Sequence, residues 1–122
     1  MELNTTSLIA VACGGAIGAV ARYAFSTMIG SHGVLIANVF GCFLIGVLLT
    51  LIALKTSVNQ TTHLFLTVGL LGGFTTFSTF SVETMGMIDT QKYAQAAFYI
   101  LISVGGGVGA FIFGRFLVKT VL

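Results

Sequence analysis

Gly69-Leu-Leu-Gly-Gly-Phe-Thr-Thr-Phe-Ser-Thr-Phe-Ser81 sits inside a long apolar run, yet it is the wrong sequence for a regular helix facing lipid. Gly72 and Gly73 weaken a helix, because glycine loses the most backbone freedom on ordering. Thr75, Thr76, Ser78 and Thr79 then place four hydroxyls within five residues. The chain has no proline, so glycine is expected to supply any break. A helix interrupted at membrane depth leaves amides and carbonyls unpaired, and such backbone is tolerated where it lines a cavity or holds an ion. Phe77 and Phe80 are three apart and share one helical face. That spacing alone is ordinary core packing. Interleaved with Ser78 and Thr79, it marks a candidate site.

Outward from this stretch the chain divides into four apolar runs, at about 5–29, 33–54, 63–87 and 93–117. A helix needs about 20 mostly apolar residues to cross the hydrocarbon core. Apolar runs of this length favour helices over buried strands, and open sheet edges cannot be satisfied in lipid. The links at 30–32, 55–62 and 88–92 are short. An all-α integral membrane protein of one domain, residues 1–122, is expected, with the third helix broken mid-membrane.

Composition agrees. Hydrophobic residues make up 57% of the chain and charged ones 7%, against about 25% charged in soluble domains. The net charge of +2 is too small and scattered for a nucleic-acid surface. Met1–Ser7 lacks the basic start of a signal peptide, so none is expected. Cys13 and Cys42 lie in apolar runs and read as small buried hydrophobes, not as a disulfide. No nucleophile–base pair, phosphate loop or metal-ligand spacing is present, which argues against an enzyme. His32 and His63 read as interfacial residues.

Four spans are few for a transport path, so a second copy is expected. Gly14-x-x-x-Gly18, Gly69-x-x-x-Gly73 and Gly105-x-x-x-Gly109 suit close helix contacts, within one chain or between two. Lys55, Arg115 and Lys119 fall on one side of the membrane, Lys92 and Arg22 on the other. So weak a bias under the positive-inside rule would let the chain insert both ways and form an antiparallel dimer of identical subunits.

Polar groups within the spans are functional candidates. Arg22 either snorkels to the interface or sets a positive charge at a vestibule. Asn38, five residues into the second run, either bonds neighbouring helices or donates its amide to an anion. Tyr99, Ser103 and Gly107 form a stripe at i, i+4 and i+8, and Ser103 could equally bond its own helix. Glu83 reads as an end-of-span residue, or as part of the Phe80 face one turn on. Asp89 and Lys92 read as loop residues.

Gly72-Gly-Phe-Thr-Thr-Phe-Ser-Thr-Phe-Ser followed by Glu83 resembles the third-helix signature of the Fluc (CrcB) family of fluoride channels. Gly14-Gly-x-x-Gly with Ala21-Arg22-Tyr23 is similar to the family's first helix, Asn38 with Gly41 to its second, and Tyr99 with Ser103 to its fourth. The resemblance covers nearly the whole chain. It implies a dual-topology homodimer in the cell inner (plasma) membrane, with two antiparallel pores that passively export toxic cytoplasmic fluoride. It implies that Phe77 and Phe80 contact fluoride by their ring edges, with Asn38 beside them. Ser78, Thr79, Tyr99 and Ser103 would continue a polar track, which Gly107 leaves one hydroxyl short of some members. Arg22 would match the vestibule arginine. A structural Na+ at the dimer centre would be held by the backbone carbonyls of Gly72 and Thr75 from each subunit.

The chemistry is coherent. Transfer of a small ion to low dielectric costs on the order of 20 kcal/mol in an idealised Born estimate, so the path must replace the water that fluoride gives up. Ring edges are the positive region of phenylalanine and offer weak, releasable contacts, as conduction requires. Two other classes compete. A four-span proton-coupled multidrug exporter would need a carboxylate in the first span, and 5–29 has none. A non-transporting assembly factor would explain the glycines but not the polar third run.

Overall fold

The computed structural model describes residues 2–54 and 57–122; Lys55, which entered the charge comparison, lies outside the described residues. The chain is all-helical. Helix α1 covers Thr5–Ile29 and α2 covers Gly33–Leu54. The third span, Gln60–Asp89, is assembled from α3 (Gln60–Leu64), a π-helical stretch (Phe65–Leu71), one turn α4 (Gly72–Phe74) and α5 (Phe77–Asp89). Helix α6 covers Tyr93–Val121. Four spans are long and apolar enough to cross a membrane.

The boundaries follow from caps. The Asn4 side chain accepts from the Ser7 amide at 2.9 Å and starts α1. Asn59 does the same for Thr62 at 2.8 Å, which begins the third span at Gln60, ahead of the expected residue 63. Gly30 ends α1 with φ of 95°, a conformation that favours glycine. Helix α6 continues past residue 117 to Val121, with Lys119 in its last turn, where a cation suits the helix dipole.

Helix α1 packs on the first half of the third span, and α2 packs on α6. In lipid, helices gain from close packing rather than from excluding water, so small residues decide where backbones meet. Gly14 and Gly18 face the π-helical stretch. A Cβ on Gly14 would lie 2.5 Å from the Phe65 carbonyl oxygen, and one on Gly18 would strike the Leu70 carbonyl. Gly114 meets the Phe43 carbonyl in the α2–α6 pair, and the Phe43 and Phe113 rings lie 6.0 Å apart. Phe25, Phe40 and Phe74 join the two pairs, with centroids 5.7 to 6.4 Å apart. The first two glycine motifs thus pack within the chain, whereas Gly105 and Gly109 face open space. Gly18→Ala is expected to destabilise the protein by about 1–3 kcal/mol, because a backbone atom cannot step aside. Gly15→Ala, with nothing near its Cβ, is expected to stay within about 0.5 kcal/mol of wild type. Thermal unfolding in detergent compares the two.

Two sequence expectations are corrected. Gly72 and Gly73 are helical and do not interrupt the chain; Thr75 (φ −97°, ψ 154°) and Thr76 (φ −150°, ψ 121°) do, both in extended backbone. β-branched residues take extended backbone readily, and Gly73 serves packing instead: a Cβ on it would lie 2.7 Å from the Gly15 carbonyl oxygen. Cys13 is exposed on α1 rather than buried; both cysteines are free.

Candidate functional site

The interruption in the third span is held by side chains from the other helices. Asn38 pairs with Thr76 as one strand residue pairs with another. Its Nδ2 donates to the Thr76 carbonyl at 2.9 Å, and its Oδ1 accepts from the Thr76 amide at 2.7 Å. The side chain therefore replaces two helical hydrogen bonds and keeps one Nδ2 hydrogen for another acceptor. The Thr76 hydroxyl starts α5 by accepting from the Thr79 amide at 3.2 Å, and it lies 3.1 Å from the Ser78 hydroxyl and 3.3 Å from that of Thr79. Thr75 turns back, its amide and hydroxyl both donating to the Leu71 carbonyl at 3.1 and 3.0 Å. The absence of a side chain on Gly41 leaves room for the Thr75 methyl.

Around this point lies an open cavity of about 440 Å³, lined in part by Asn38, Gly72, Thr75, Phe77, Phe80 and Ser103. Residues from the second, third and fourth runs therefore meet at one place. Phe77 and Phe80 have ring centroids 5.2 Å apart, and Phe80 lies 5.4 Å from Tyr99. Phe80 is 8% exposed and Phe77 is 76% exposed, so the Phe80 ring is enclosed by its own chain and the Phe77 ring stands uncovered on it. The Ser103 hydroxyl is buried and has no hydrogen-bond partner. It does not bond its own helix, which was the plainer reading of the sequence. A buried hydroxyl without a partner costs about 1–3 kcal/mol, and this one lies in a residue of the cavity wall.

Other candidates lie elsewhere. Ser78 and Thr79 do not line the cavity; their hydroxyls face Thr76 at the start of α5. Tyr99 lies beyond Phe80 with its ring tilted against it, and its hydroxyl donates to Glu83 Oε2. Glu83 therefore is tied to α6 rather than merely ending a span. Arg22 is also absent from the lining, and its Nε donates to the Gly73 carbonyl at 3.1 Å. Sequence reasoning missed Thr76 as the residue Asn38 grips. The signal available was a threonine three residues before Thr79 at the head of a helix, the spacing of an N-cap.

A family profile described as "CrcB-like protein, Camphor Resistance (CrcB)" matches residues 9–115. The chain is 43% identical over 126 residues to the "Fluoride-specific ion channel FluC" of Nitrobacter winogradskyi, across 98% of this chain and 100% of that one. It is 45% identical over 123 residues to the protein of that name from Desulfotalea psychrophila, across 92% and 95% of the two chains. The protein of that name from Granulibacter bethesdensis is 46% identical over 90 residues, across 74% and 71%. With four apolar spans and a match over nearly its whole length, the chain is a multi-pass membrane protein that belongs to the CrcB family.

Proposed function

We propose that the protein is a fluoride-selective channel that lets fluoride leave the cell down its gradient. The relatives named above carry that activity in their names. The observation that carries the reading for this chain is that Asn38, Phe77, Phe80 and Ser103, from three different spans, line one cavity, with the buried Ser103 hydroxyl left without a hydrogen-bond partner in its wall. One O–H, the remaining Nδ2 hydrogen and two ring edges form a set of donors without a fixed positive charge. Such a set replaces part of a hydration shell and still releases the ion. Tyr99 extends the aromatic wall beyond Phe80. Ser78 and Thr79 lie on the first turn of α5 and continue the polar surface from Thr76.

In this reading the extended Thr75–Thr76 pair lies at membrane depth, and the pathway is completed by a second copy in the opposite orientation. Phe77 is uncovered on the single chain, and Gly105 and Gly109 face open space beside Val104 and Val108 of the cavity wall. A close-packing partner suits such a face. Among the turn, cap and side-chain hydrogen bonds of the described residues, none reaches the carbonyls of Gly72 or Thr75. Carbonyl oxygens left over in this way suit a hard cation such as Na+. When bound, it supplies a positive charge that lowers the cost of an anion passing nearby.

Purified protein in liposomes is expected to release fluoride and retain chloride, read with ion-selective electrodes. Equal release of both anions, or of neither, overturns the reading.

A further inference from the structure

The interruption in the third span creates a carbonyl that its own helix cannot satisfy. In a continuous helix the Gly73 carbonyl would accept from the Phe77 amide, four residues on. The extended Thr75 and Thr76 separate the two groups. On the α1 side Gly73 lies close to the Gly15 backbone, where an added Cβ would stand 2.7 Å from the Gly15 carbonyl oxygen. Arg22, two turns along α1 from Gly15, is half-buried and directs Nε at this oxygen from 3.1 Å. The contact joins residues 51 positions apart in sequence. Asn38 meanwhile takes both backbone polar groups of Thr76 from the α2 side. The interrupted segment is thus gripped from two helices, and the neighbouring Gly72 and Thr75 carbonyls are left without such partners.

We infer that Arg22 is a positioning residue. Its Nε–H caps the Gly73 carbonyl and so holds the backbone of the interruption, and with it the Gly72 and Thr75 oxygens, in place. A cation beside the end of a helical turn also opposes the partial negative charge there. This role differs from gathering anions at a vestibule, which depends on net charge and not on a particular N–H. It rests on the channel reading for its flux consequence but not for the hydrogen bond itself.

Three substitutions at one position separate donor from charge. In Arg22→Gln the Nε2 stands as many bonds from Cα as the arginine Nε, so the donor stays and the charge goes. Arg22→Met has similar length and neither. Arg22→Lys keeps the charge and moves the donor one atom outward. Gly73–Phe74 is the one Gly-Phe step in the sequence. Protein labelled with carbonyl-13C glycine and 15N phenylalanine therefore gives a single NMR signal from the capped carbonyl.

The expected result is a Gly73 carbonyl resonance that moves in Arg22→Met and not in Arg22→Gln. Fluoride flux from liposomes falls about tenfold in Arg22→Met, the loss of a charge-assisted hydrogen bond. It falls only about threefold in Arg22→Gln, since a neutral bond is roughly half as strong. The inference is overturned if Arg22→Gln and Arg22→Met lose flux alike while Arg22→Lys conducts as wild type, or if the resonance is the same in all four proteins. Should Arg22→Met not yield folded protein, the signal in Arg22→Gln decides: unmoved, it supports the cap; shifted, it removes it. If the wild type itself carries no selective fluoride flux, the channel reading fails, while the resonance still reports on the cap.

Discussion

Phe80→Ile is expected to cut fluoride flux at least about a hundredfold, equivalent to about 2.7 kcal/mol on the barrier, while the protein still folds and assembles. Phe80 is buried between Phe77 and Tyr99, with ring centroids 5.2 and 5.4 Å away, and it lines the same cavity as Ser103. Isoleucine keeps the apolar bulk but has no ring edge to offer an anion. The packing loss is modest, about 1–2 kcal/mol for a partial truncation in a well-packed place. Phe113→Ile supplies the control. Phe113 pairs with Phe43 between α2 and α6 and is not among the cavity-lining residues. A smaller stability loss, with flux near wild type, is expected there, since Phe113 is more than half exposed. An electrode trace from liposomes, with size-exclusion elution as the check on assembly, compares the two. Wild-type flux from Phe80→Ile would remove the aromatic role.

Asn38→Asp is expected to abolish flux to the same degree and to lower thermal stability as well, and the structure gives two reasons. The aspartate still accepts from the Thr76 amide. However, its second oxygen replaces the Nδ2 that now donates to the Thr76 carbonyl at 2.9 Å, so two acceptors face each other. Leaving a buried acceptor unsatisfied costs about 1–3 kcal/mol, more when it is charged. The new negative charge also lies in the wall of the cavity and repels an anion there. Thermal unfolding in detergent reads the first effect and liposome flux the second. Conduction at the wild-type rate would exclude Asn38 as a donor to fluoride, and unchanged thermal stability would exclude a stabilising role for its grip on Thr76.

The four spans were legible because the bilayer imposes a length and a composition that a single sequence displays directly. The boundaries that shifted, Gln60 and Val121, moved outward by a few residues. There a cap or a terminal lysine extends a helix that hydropathy alone would end. That Phe77 and Phe80 share a face was also legible, since i and i+3 spacing fixes a face, and Asn38 and Ser103 stood out as polar residues in apolar runs; their nearness to the two rings was implied by the family resemblance alone.

What the sequence alone determined, then, is the solvent, the number of crossings, and which side chains are out of place in lipid. Each follows from properties local to a window of residues. Only the tertiary structure decided where the third span gives way, because that depends on partners far along the chain. Asn38 takes the backbone polar groups of Thr76, and Arg22 takes the Gly73 carbonyl. Glycine at 72 and 73 weakened the helix in principle, yet both are helical, Gly73 packed closely on α1, and the extended turn fell to the threonines. The same holds for Ser103, whose hydroxyl could have bonded its own helix: that it is left unpaired is a fact about its neighbours, not about its place in the sequence.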